Sequence, residues 1–267
     1  LSKEKLLEVR SVSVNYRSHE RGIFSKGKSV EAVSNVSLDI RKGERLGLVG
    51  ESGCGKSTLT RTILGLQSAS SGYIKFEGQE VSKYANSFKK NIQVVFQDPY
   101  GSFNPRQKIG RLITEPFFTL GREAPPETEQ KIIAQKMLKE VGLSSESIEK
   151  YIHEFSGGQR QRIAIARALV IKPKLIIFDE AVSALDVSIR SQILKLISDL
   201  TERYGLSYLF ISHDLTVIEN ITENCLVMKN GKIVERGQTK HILRDPKNEY
   251  TLSLINAAPK FPNFLHA

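Results

Sequence analysis

Four short apolar runs mark the core of the chain: LGLVG at 46–50, QVVF at 93–96, KLIIFDE at 174–180 and SYLFIS at 207–212. Their apolar residues follow one another without polar alternation, as in strands that are covered on both faces. Helical patterns separate the runs, for example SIRSQILKLISDLTERYG at 188–205. Because strand and helix alternate, the pattern predicts an α/β fold with a mostly parallel core sheet.

The pattern changes towards both ends of the chain. EVRSVSVNY at 8–16 and EAVSNVSLDIRKGE at 31–44 alternate apolar and polar residues, as half-exposed antiparallel strands do. They predict an N-terminal antiparallel β subdomain. LVMKNGKIVERG at 226–237 is typical of a hairpin, because Asn230 and Gly231 suit the positive φ angles of a type I′ turn.

Helical residues dominate between the second and third apolar runs. The clearest stretch is PETEQKIIAQKMLKEVGL at 126–143, and the pattern predicts a helical subdomain over 98–165, inserted between two core strands. The segment 246–267 reads as a C-terminal tail with one short helix. We therefore expect a single domain over 1–267 that contains the helical subdomain.

Composition excludes several classes of protein. The chain is 40% hydrophobic and 25% charged, which is ordinary for a soluble globular protein. No apolar run reaches the roughly 18 residues that span a bilayer, and the charged start LSKEKLLEVR lacks the apolar core of a signal peptide. We expect a cytosolic protein that reaches a membrane only through a partner. Two cysteines support neither a disulfide framework nor a cysteine-based metal site.

The net charge of +10 suits nucleic acid, an anionic lipid surface or a phosphate substrate. Lysine and arginine are scattered, however, with no run of five. This distribution favours a solvated basic surface over a nucleic-acid partner.

GESGCGKS at 50–57 matches the phosphate-loop pattern G-x-x-x-x-G-K-[ST], and it lies between a predicted strand and a predicted helix over 57–66. Glycines let backbone N–H groups turn towards phosphate oxygens, and the helix N-terminus adds partial positive charge. Lys56 would bridge the β- and γ-phosphates, and the Ser57 hydroxyl would bind Mg²⁺. The alternative is a glycine-rich turn that binds nothing. The residues expected to hold the phosphates are Gly50, Ser52, Gly53, Cys54, Gly55, Lys56, Ser57 and Thr58.

Two carboxylates end the apolar run at 174–180. At the tip of a parallel strand they would lie at the edge where open sheets bind ligands. Asp179 is expected to hold Mg²⁺ through its water shell. Glu180 would face the attacking water, as general base or as the group that positions it. The alternative is an acid pair that caps a helix.

FSGGQRQRIAIARAL at 155–169 contains a second glycine-rich helix start. Ser156 and Gln159 have the spacing of a capping box. A cap does not require Gly157 and Gly158, which cost roughly 1 kcal/mol each inside a helix. Bare backbone at a helix start suits a second anion site. A head-to-tail dimer would let the phosphate loop of one subunit face this segment of the other across the nucleotide.

These motifs together resemble the nucleotide-binding domain of ATP-binding cassette (ABC) transporters. The resemblance identifies VVFQDP with the Q-loop, where Gln97 contacts Mg²⁺ and the attacking water, and SALD with the D-loop, where Asp186 lies at the dimer interface. It makes His213 the switch histidine that bonds the γ-phosphate and Glu180, and Tyr16 the aromatic that stacks on adenine. Phe155 and Ala181 stand where the family has leucine and proline, and both flank the functional atoms.

Local features narrow the resemblance to ATPase subunits of bacterial importers for dipeptides, oligopeptides, nickel and related metal chelates or opines. They are an insertion after Tyr16, the continuations QDPYGSFNPR and SALDVSIRSQIL, and DPKNEYTLSLINAAP in the tail. The resemblance is strongest to the second ATPase of such systems. It implies ATP and Mg²⁺ as cofactors, and a location on the cytoplasmic face of the inner membrane. It also implies a homologous ATPase partner, two permease subunits and a substrate-binding protein. The tail has no cysteine, so we expect no iron–sulfur cluster.

The aromatic residues after Gln97 have two interpretations. They form either a dock for a permease helix or the core of the helical subdomain. The set is Tyr100, Phe103, Phe117 and Phe118.

Two other functions stay open at this point. A non-transport ABC ATPase acting on DNA or the ribosome would suit the basic charge, although the chain has one cassette and no long heptad insertion. A module that binds ATP without hydrolysing it would need a degenerate site, whereas Glu180, His213, Gln97 and the SGGQ segment are all present.

Overall fold

The computed structural model describes residues 4–17, 29–81 and 86–257. The strands in these ranges are β1 (Lys5–Arg17), β2 (Ser29–Arg41), β3 (Arg45–Val49), β4 (Ser71–Phe76), β5 (Gln79–Glu80), β6 (Ile92–Phe96), β7 (Leu175–Asp179), β8 (Ser207–Ser212), β9 (Asn224–Lys229) and β10 (Lys232–Gln238). The α-helices are α1 (Lys56–Ile63), α2 (Asn86–Asn91), α3 (Ile109–Thr114), α4 (Glu127–Glu140), α5 (Gly157–Leu169), α6 (Val187–Tyr204), α7 (Leu215–Ile221), α8 (Thr239–Arg244) and α9 (Glu249–Ala257). The described part of the chain forms two compact units, one from 4–81 and 211–257 and the other from 86–210.

The first unit begins with an antiparallel sheet in the order β2-β1-β4-β5. The alternation predicted at 8–16 and 31–44 is confirmed as the β1–β2 pair, but each strand also contains a bulge. Buried valines step by three from Val9 to Val12, and a positive φ of 47° at Ser11 returns Val12 to the buried face. In β2 the same step follows a φ of 50° at Asn35. Such bulges restore the alternation after one extra residue.

In the rest of the first unit, β9 lies between β3 and β10. It pairs parallel with β3 and antiparallel with β10. The predicted hairpin turn is confirmed, since φ is 47° at Asn230 and 79° at Gly231. Gly231 also bonds outside the hairpin: its carbonyl accepts the Ser34 N–H at 2.8 Å, and its N–H donates to the Cys54 carbonyl at 2.8 Å. The hairpin tip is thus joined to β2 and to the phosphate loop.

The helix after the phosphate loop is shorter than the sequence predicted. It ends at Ile63 rather than near Leu66. Gly65 adopts a left-handed φ of 69°, and Leu66 N–H folds back to donate to the Arg61 carbonyl at 2.8 Å. A glycine in this conformation ends a helix because it turns the chain away from the axis.

The second unit holds the parallel pair β6–β7. Phe178 of β7 packs on Tyr208 and Phe210 of β8, with ring centroids 5.8 and 5.5 Å apart. All six residues of β8 are buried, as predicted. The prediction of burial on both faces is wrong for 93–96, where Phe96 is exposed and only Val95 is fully buried.

The segment predicted to be helical contains α3, α4 and short 3₁₀ turns. α3 packs against α4 and α5. The turns are Tyr100–Ser102, Glu115–Glu123, Ser145–Glu149 and Ile152–Glu154. The single domain over 1–267 and its subdomain boundaries stay predictions. The predicted short helix of the tail is α9, and the residues after 257 lie outside the described part. No helix within 4–17, 29–81 and 86–257 combines the length and the apolar character that a bilayer crossing requires.

Candidate active site

The phosphate loop leaves β3 and enters α1. Its glycines take backbone forms that other residues avoid, with φ of 81° at Gly53 and 110° at Gly55. Gly55 is also the N-cap of α1, where no side chain covers the first N–H groups. A Cβ on Gly50 would lie 2.2 Å from the Met228 carbonyl oxygen. β9 therefore lies close against one side of the loop. Elsewhere the loop is open, since Glu51, Ser52 and Gly53 are exposed.

Lys56 is 4% exposed and is held by the loop itself. Its ammonium donates to the carbonyls of Gly50 at 2.6 Å and Glu51 at 2.9 Å. Ser57 is exposed and Thr58 half-buried, in the first turn of α1. The loop therefore presents a fixed positive charge and a hydroxyl beside a helix N-terminus, which suits a phosphate chain.

Cys54 contributes packing and backbone rather than a reactive thiol. The side chain is buried, and burial raises the pKa of the thiol although the charge of Lys56 opposes this. A raised pKa keeps sulfur protonated and weakly nucleophilic. The backbone carbonyl of Cys54 accepts the N–H of Gly231.

Tyr16 lies at the end of β1, close to this loop. Its hydroxyl is 3.5 Å from the Thr58 Oγ1, and the residue is 39% exposed. The predicted stacking residue is therefore an exposed ring beside the first turn of α1.

The carboxylates predicted at 179 and 180 end β7. Asp179 is its last residue, and Glu180 follows with a φ of 51°, which is rare for a residue with a side chain. Ser183 fixes this turn, because its N–H and hydroxyl donate to the Glu180 carbonyl at 3.1 and 2.9 Å. Strained backbone that neighbouring bonds enforce is common at functional positions. Sequence reasoning did not foresee this conformation.

Gln97 lies beside these carboxylates. In the β6–β7 register Phe96 is opposite Asp179, so Gln97 and Glu180 leave the two strands at the same edge. His213 follows the last residue of β8 and is exposed, and the next residue, Asp214, caps α7.

The second glycine-rich helix start is the N-terminus of α5. The predicted capping box is confirmed: Gln159 N–H donates to Ser156 Oγ at 3.4 Å, and Ser156 N–H donates to Gln159 Oε1 at 3.0 Å. The two glycines differ. A Cβ on Gly158 would lie 2.5 Å from Ile189 Cγ2, whereas a Cβ on Gly157 would meet, among the described residues, only Leu185 Cδ2 at 3.9 Å. Gly158 therefore has a packing reason that the sequence interpretation missed, and Gly157 has none.

Asp186 is the N-cap of α6. Its carboxylate accepts from the Ile189 N–H and the Ser188 hydroxyl, both at 3.0 Å. The bond from Ile189 lowers the pKa of this carboxyl, with a smaller contribution from Ser188. Asp186 thus has a structural role in addition to any contact across a dimer.

Two arginines of α5 hold the residues after Gln97, a feature that sequence reasoning missed. Arg160 and Arg167 are seven residues apart, on one face of the helix. Arg160 lies over the Tyr100 ring at 4.8 Å and Arg167 over the Phe103 ring at 4.4 Å. Arg167 also donates to the Ser102 carbonyl and hydroxyl, both at 2.9 Å, and burial lowers its pKa. The spacing beside aromatic residues is the signal that could have indicated this contact.

Apart from His213, which follows β8, the predicted site residues fall into three groups within the described part of the chain. The first is Tyr16 with the phosphate loop, the second is Gln97 with Asp179 and Glu180, and the third is the start of α5 packed on the start of α6. Serine hydroxyl, glutamine amide and aspartate carboxylate are all oxygen donors, so Ser57, Gln97 and Asp179 fit the ligand chemistry that Mg²⁺ prefers.

Comparison with known proteins points in one direction. The family model described as ABC transporter matches residues 33–183. The dipeptide transport ATP-binding protein DppF of Haemophilus influenzae is 43% identical over 253 residues, which are 93% of this chain and 77% of that protein. The oligopeptide transport ATP-binding protein AppF of Bacillus subtilis is 46% identical over 264 residues, 97% of this chain and 79% of that protein.

A solved structure has the same fold. It is the ATP-binding cassette MJ0796, in a dimeric post-hydrolysis state with ADP and phosphate. The similarity has a TM-score of 0.76 at 26% identity, and it covers 88% of this chain and 99% of that one.

Proposed function

Since the chain belongs to the ABC transporter family, we propose that it energises a bacterial importer of peptides, nickel or related metal chelates or opines. The observation that carries the proposal is the preformed phosphate loop with its buried Lys56, in a chain that aligns over more than nine-tenths of its length with peptide-transport ATPases. The protein would work on the cytoplasmic face of the inner membrane.

The chain's own residues would bind ATP as follows. Backbone N–H groups of the loop and the start of α1 surround the phosphates, and Lys56 places its charge against the β- and γ-phosphates. Tyr16 stacks on the base. Mg²⁺, held by Ser57, Gln97 and Asp179, would neutralise charge on the phosphates.

Glu180 would then orient the attacking water and take up its proton. The bond from Ser183 holds the backbone at Glu180 in one arrangement, so this arrangement exists before ATP binds. His213 would bond the γ-phosphate and keep Glu180 in place. The second ATPase, either a copy of this chain or a homologue, would supply Ser156–Gln159 N–H groups to the same nucleotide, with Asp186 at the interface.

Gly157→Ala is expected to separate folding from function. Within the part of the chain that the structure describes, the added methyl group meets only Leu185 at 3.9 Å, so the fold accepts it, and exchanging glycine for alanine in a helix stabilises by about 0.5–1 kcal/mol. The same methyl would project into the space where the partner's nucleotide approaches the backbone. We expect an unchanged or higher melting temperature and at least about a tenfold loss of ATP hydrolysis, a loss of roughly 1.4 kcal/mol in transition-state binding.

The control is Ser156→Ala, which removes the helix cap and should lower stability by about 1 kcal/mol. Calorimetry and steady-state hydrolysis measure both variants. Full activity of Gly157→Ala would contradict the role of this helix start in binding nucleotide.

The four aromatic residues after Gln97 divide between the two interpretations, permease dock and core. Phe103 and Phe117 are buried, 5% and 4% exposed, so they belong to the core of the second unit. Tyr100 and Phe118 are exposed, and Phe118 at 64% has Arg111 over its ring at 4.2 Å. A large exposed aromatic with a cation beside it is a frequent anchor in interfaces. We therefore assign the dock to Phe118 and Tyr100.

The test is ATP-driven uptake by membrane vesicles. The vesicles contain this chain together with the permease, ATPase and binding protein encoded by genes next to its own. Di- and oligopeptides and nickel are offered as substrates. Phe118→Ser is expected to reduce uptake and permease co-purification by at least about tenfold, as loss of an interface anchor does. Leu66→Ser is the matched control, because Leu66 is equally exposed at 64%. Hydrolysis stimulated by nucleic acid or ribosomes, without permease association, would favour the non-transport alternative.

A further inference from the structure

The side chain of Tyr250 reaches the phosphate loop from α9. Its hydroxyl oxygen accepts the N–H of Glu51 at 3.1 Å, across 199 residues of sequence. Tyr250 is 7% exposed, and the Lys229 ammonium lies 4.5 Å from its ring centre. Burial raises the pKa of the Tyr250 hydroxyl, which keeps it neutral. Tyr250 lies in the tail segment DPKNEYTLSLINAAP and is not among the predicted site residues.

The position of Tyr250 is fixed from a strand. Asn248 accepts the Tyr250 N–H at 2.9 Å and so caps the start of α9. The carboxylate of Glu235, in β10, accepts the N–H groups of Lys247 at 2.9 Å and Asn248 at 3.3 Å. α9 is therefore fastened to the same hairpin whose tip bonds Cys54. The Tyr250 hydroxyl is therefore held in one place, and from there it can orient the group that it bonds.

What it holds is one peptide plane. The Glu51 N–H and the Gly50 carbonyl belong to the same planar, trans peptide unit, and they point in opposite directions. The N–H donates to Tyr250, and the carbonyl accepts the Lys56 ammonium at 2.6 Å. Rotation of this plane would break both bonds together. The orientation that suits Tyr250 is the one that receives Lys56.

We propose that Tyr250 is a positioning residue of the ATPase site, which sets the Gly50–Glu51 peptide and through it the place of the Lys56 ammonium. This inference rests on the proposed role of the loop in binding ATP. The effect of Tyr250 on nucleotide binding would pass through the Gly50–Glu51 peptide to Lys56. It gives α9 a function beyond packing.

The test compares Tyr250→Phe with Tyr73→Phe. Tyr250→Phe removes only the hydroxyl, and its ring stays under Lys229. Tyr73 is the control for the loss of a tyrosine hydroxyl: it is exposed, unlike Tyr250, but a lysine ammonium, that of Lys75, also lies near its ring centre, at 5.0 Å. For each variant, binding of ATP and of ADP is measured by calorimetry, hydrolysis gives kcat and KM, and a thermal scan without nucleotide gives stability.

The expected result for Tyr250→Phe is a KM for ATP raised by about two- to tenfold, the range for one neutral hydrogen bond. The melting temperature should fall slightly, because the same bond is also lost in the protein without nucleotide. ADP affinity should fall less, because Lys56 is placed against both the β- and γ-phosphates of ATP and ADP lacks the γ-phosphate. Equal losses of ATP affinity and ADP affinity would mean that α9 has a merely structural role, and would overturn the inference. Unchanged constants would overturn it as well. Wild-type protein that binds neither nucleotide would instead overturn the proposed function.

Discussion

Glu180→Gln is expected to lower ATP hydrolysis by at least about a hundredfold, the usual contribution of a positioned general base. Glutamine has the shape of glutamate but cannot accept a proton from the attacking water. The backbone at this position should not change, because Ser183 holds the Glu180 carbonyl rather than its side chain. ATP should still bind, so the variant is expected to accumulate as an ATP-bound dimer.

Hydrolysis assays and light scattering, each with and without Mg²⁺, measure the two effects. Glu149→Gln is the control: the same exchange in the same unit, at an exposed residue paired with Lys108 and Lys131. Turnover at the wild-type rate would remove Glu180 from its assigned role. A monomeric, inactive wild type would indicate that the chain requires a different ATPase and its permease, and co-expression with the neighbouring genes would follow.

Gly55→Ala is expected to abolish ATP binding and to destabilise the first unit. A Cβ there would lie 2.4 Å from the Ala32 carbonyl oxygen and 2.8 Å from Met228 Cε, on a residue with a φ of 110°. Backbone strain and steric overlap together should cost about 2–4 kcal/mol in the free energy of unfolding. The overlap is with backbone of β2, so side-chain rotation cannot relieve it.

Gly53→Ala separates the two causes. Gly53 has a φ of 81°, and no atom of residues 4–17, 29–81 and 86–257 lies within 4 Å of an added Cβ, so it tests strain without overlap, at about 1–2 kcal/mol. Thermal scans and ATP titration measure both variants. A Gly55→Ala protein as stable as Gly53→Ala would show that the loop can move away from β2 and β9, against the packing described here.

The motifs were predictable because each is a local event. A strand, a turn and a helix start lie within about ten residues, and periodicity reports them. The hairpin at Asn230 and the capping box at Ser156 followed from turn and cap chemistry in the same way. The bulges at Ser11 and Asn35 were visible in the step of three between valines, but the alternation was read as continuous.

Contacts between distant residues could not be predicted. Tyr250 meets Glu51 only because β10, the segment before α9 and the loop come together in the folded unit. Gly158 requires glycine because Ile189 of another helix lies against it. The exposure of Phe96 depends on which elements pack against its side of β6. Each is decided by tertiary packing, which one sequence without an alignment does not report.

The turn at Asn230 and Gly231 has a practical consequence for anyone who modifies this protein. Hairpin tips are ordinarily good places for insertions, tags and fluorescent labels. Here the two backbone bonds of Gly231 tie the tip to Ser34 and Cys54. An epitope inserted between Asn230 and Lys232 would pull on the phosphate loop itself. Attachment chemistry should therefore avoid this turn.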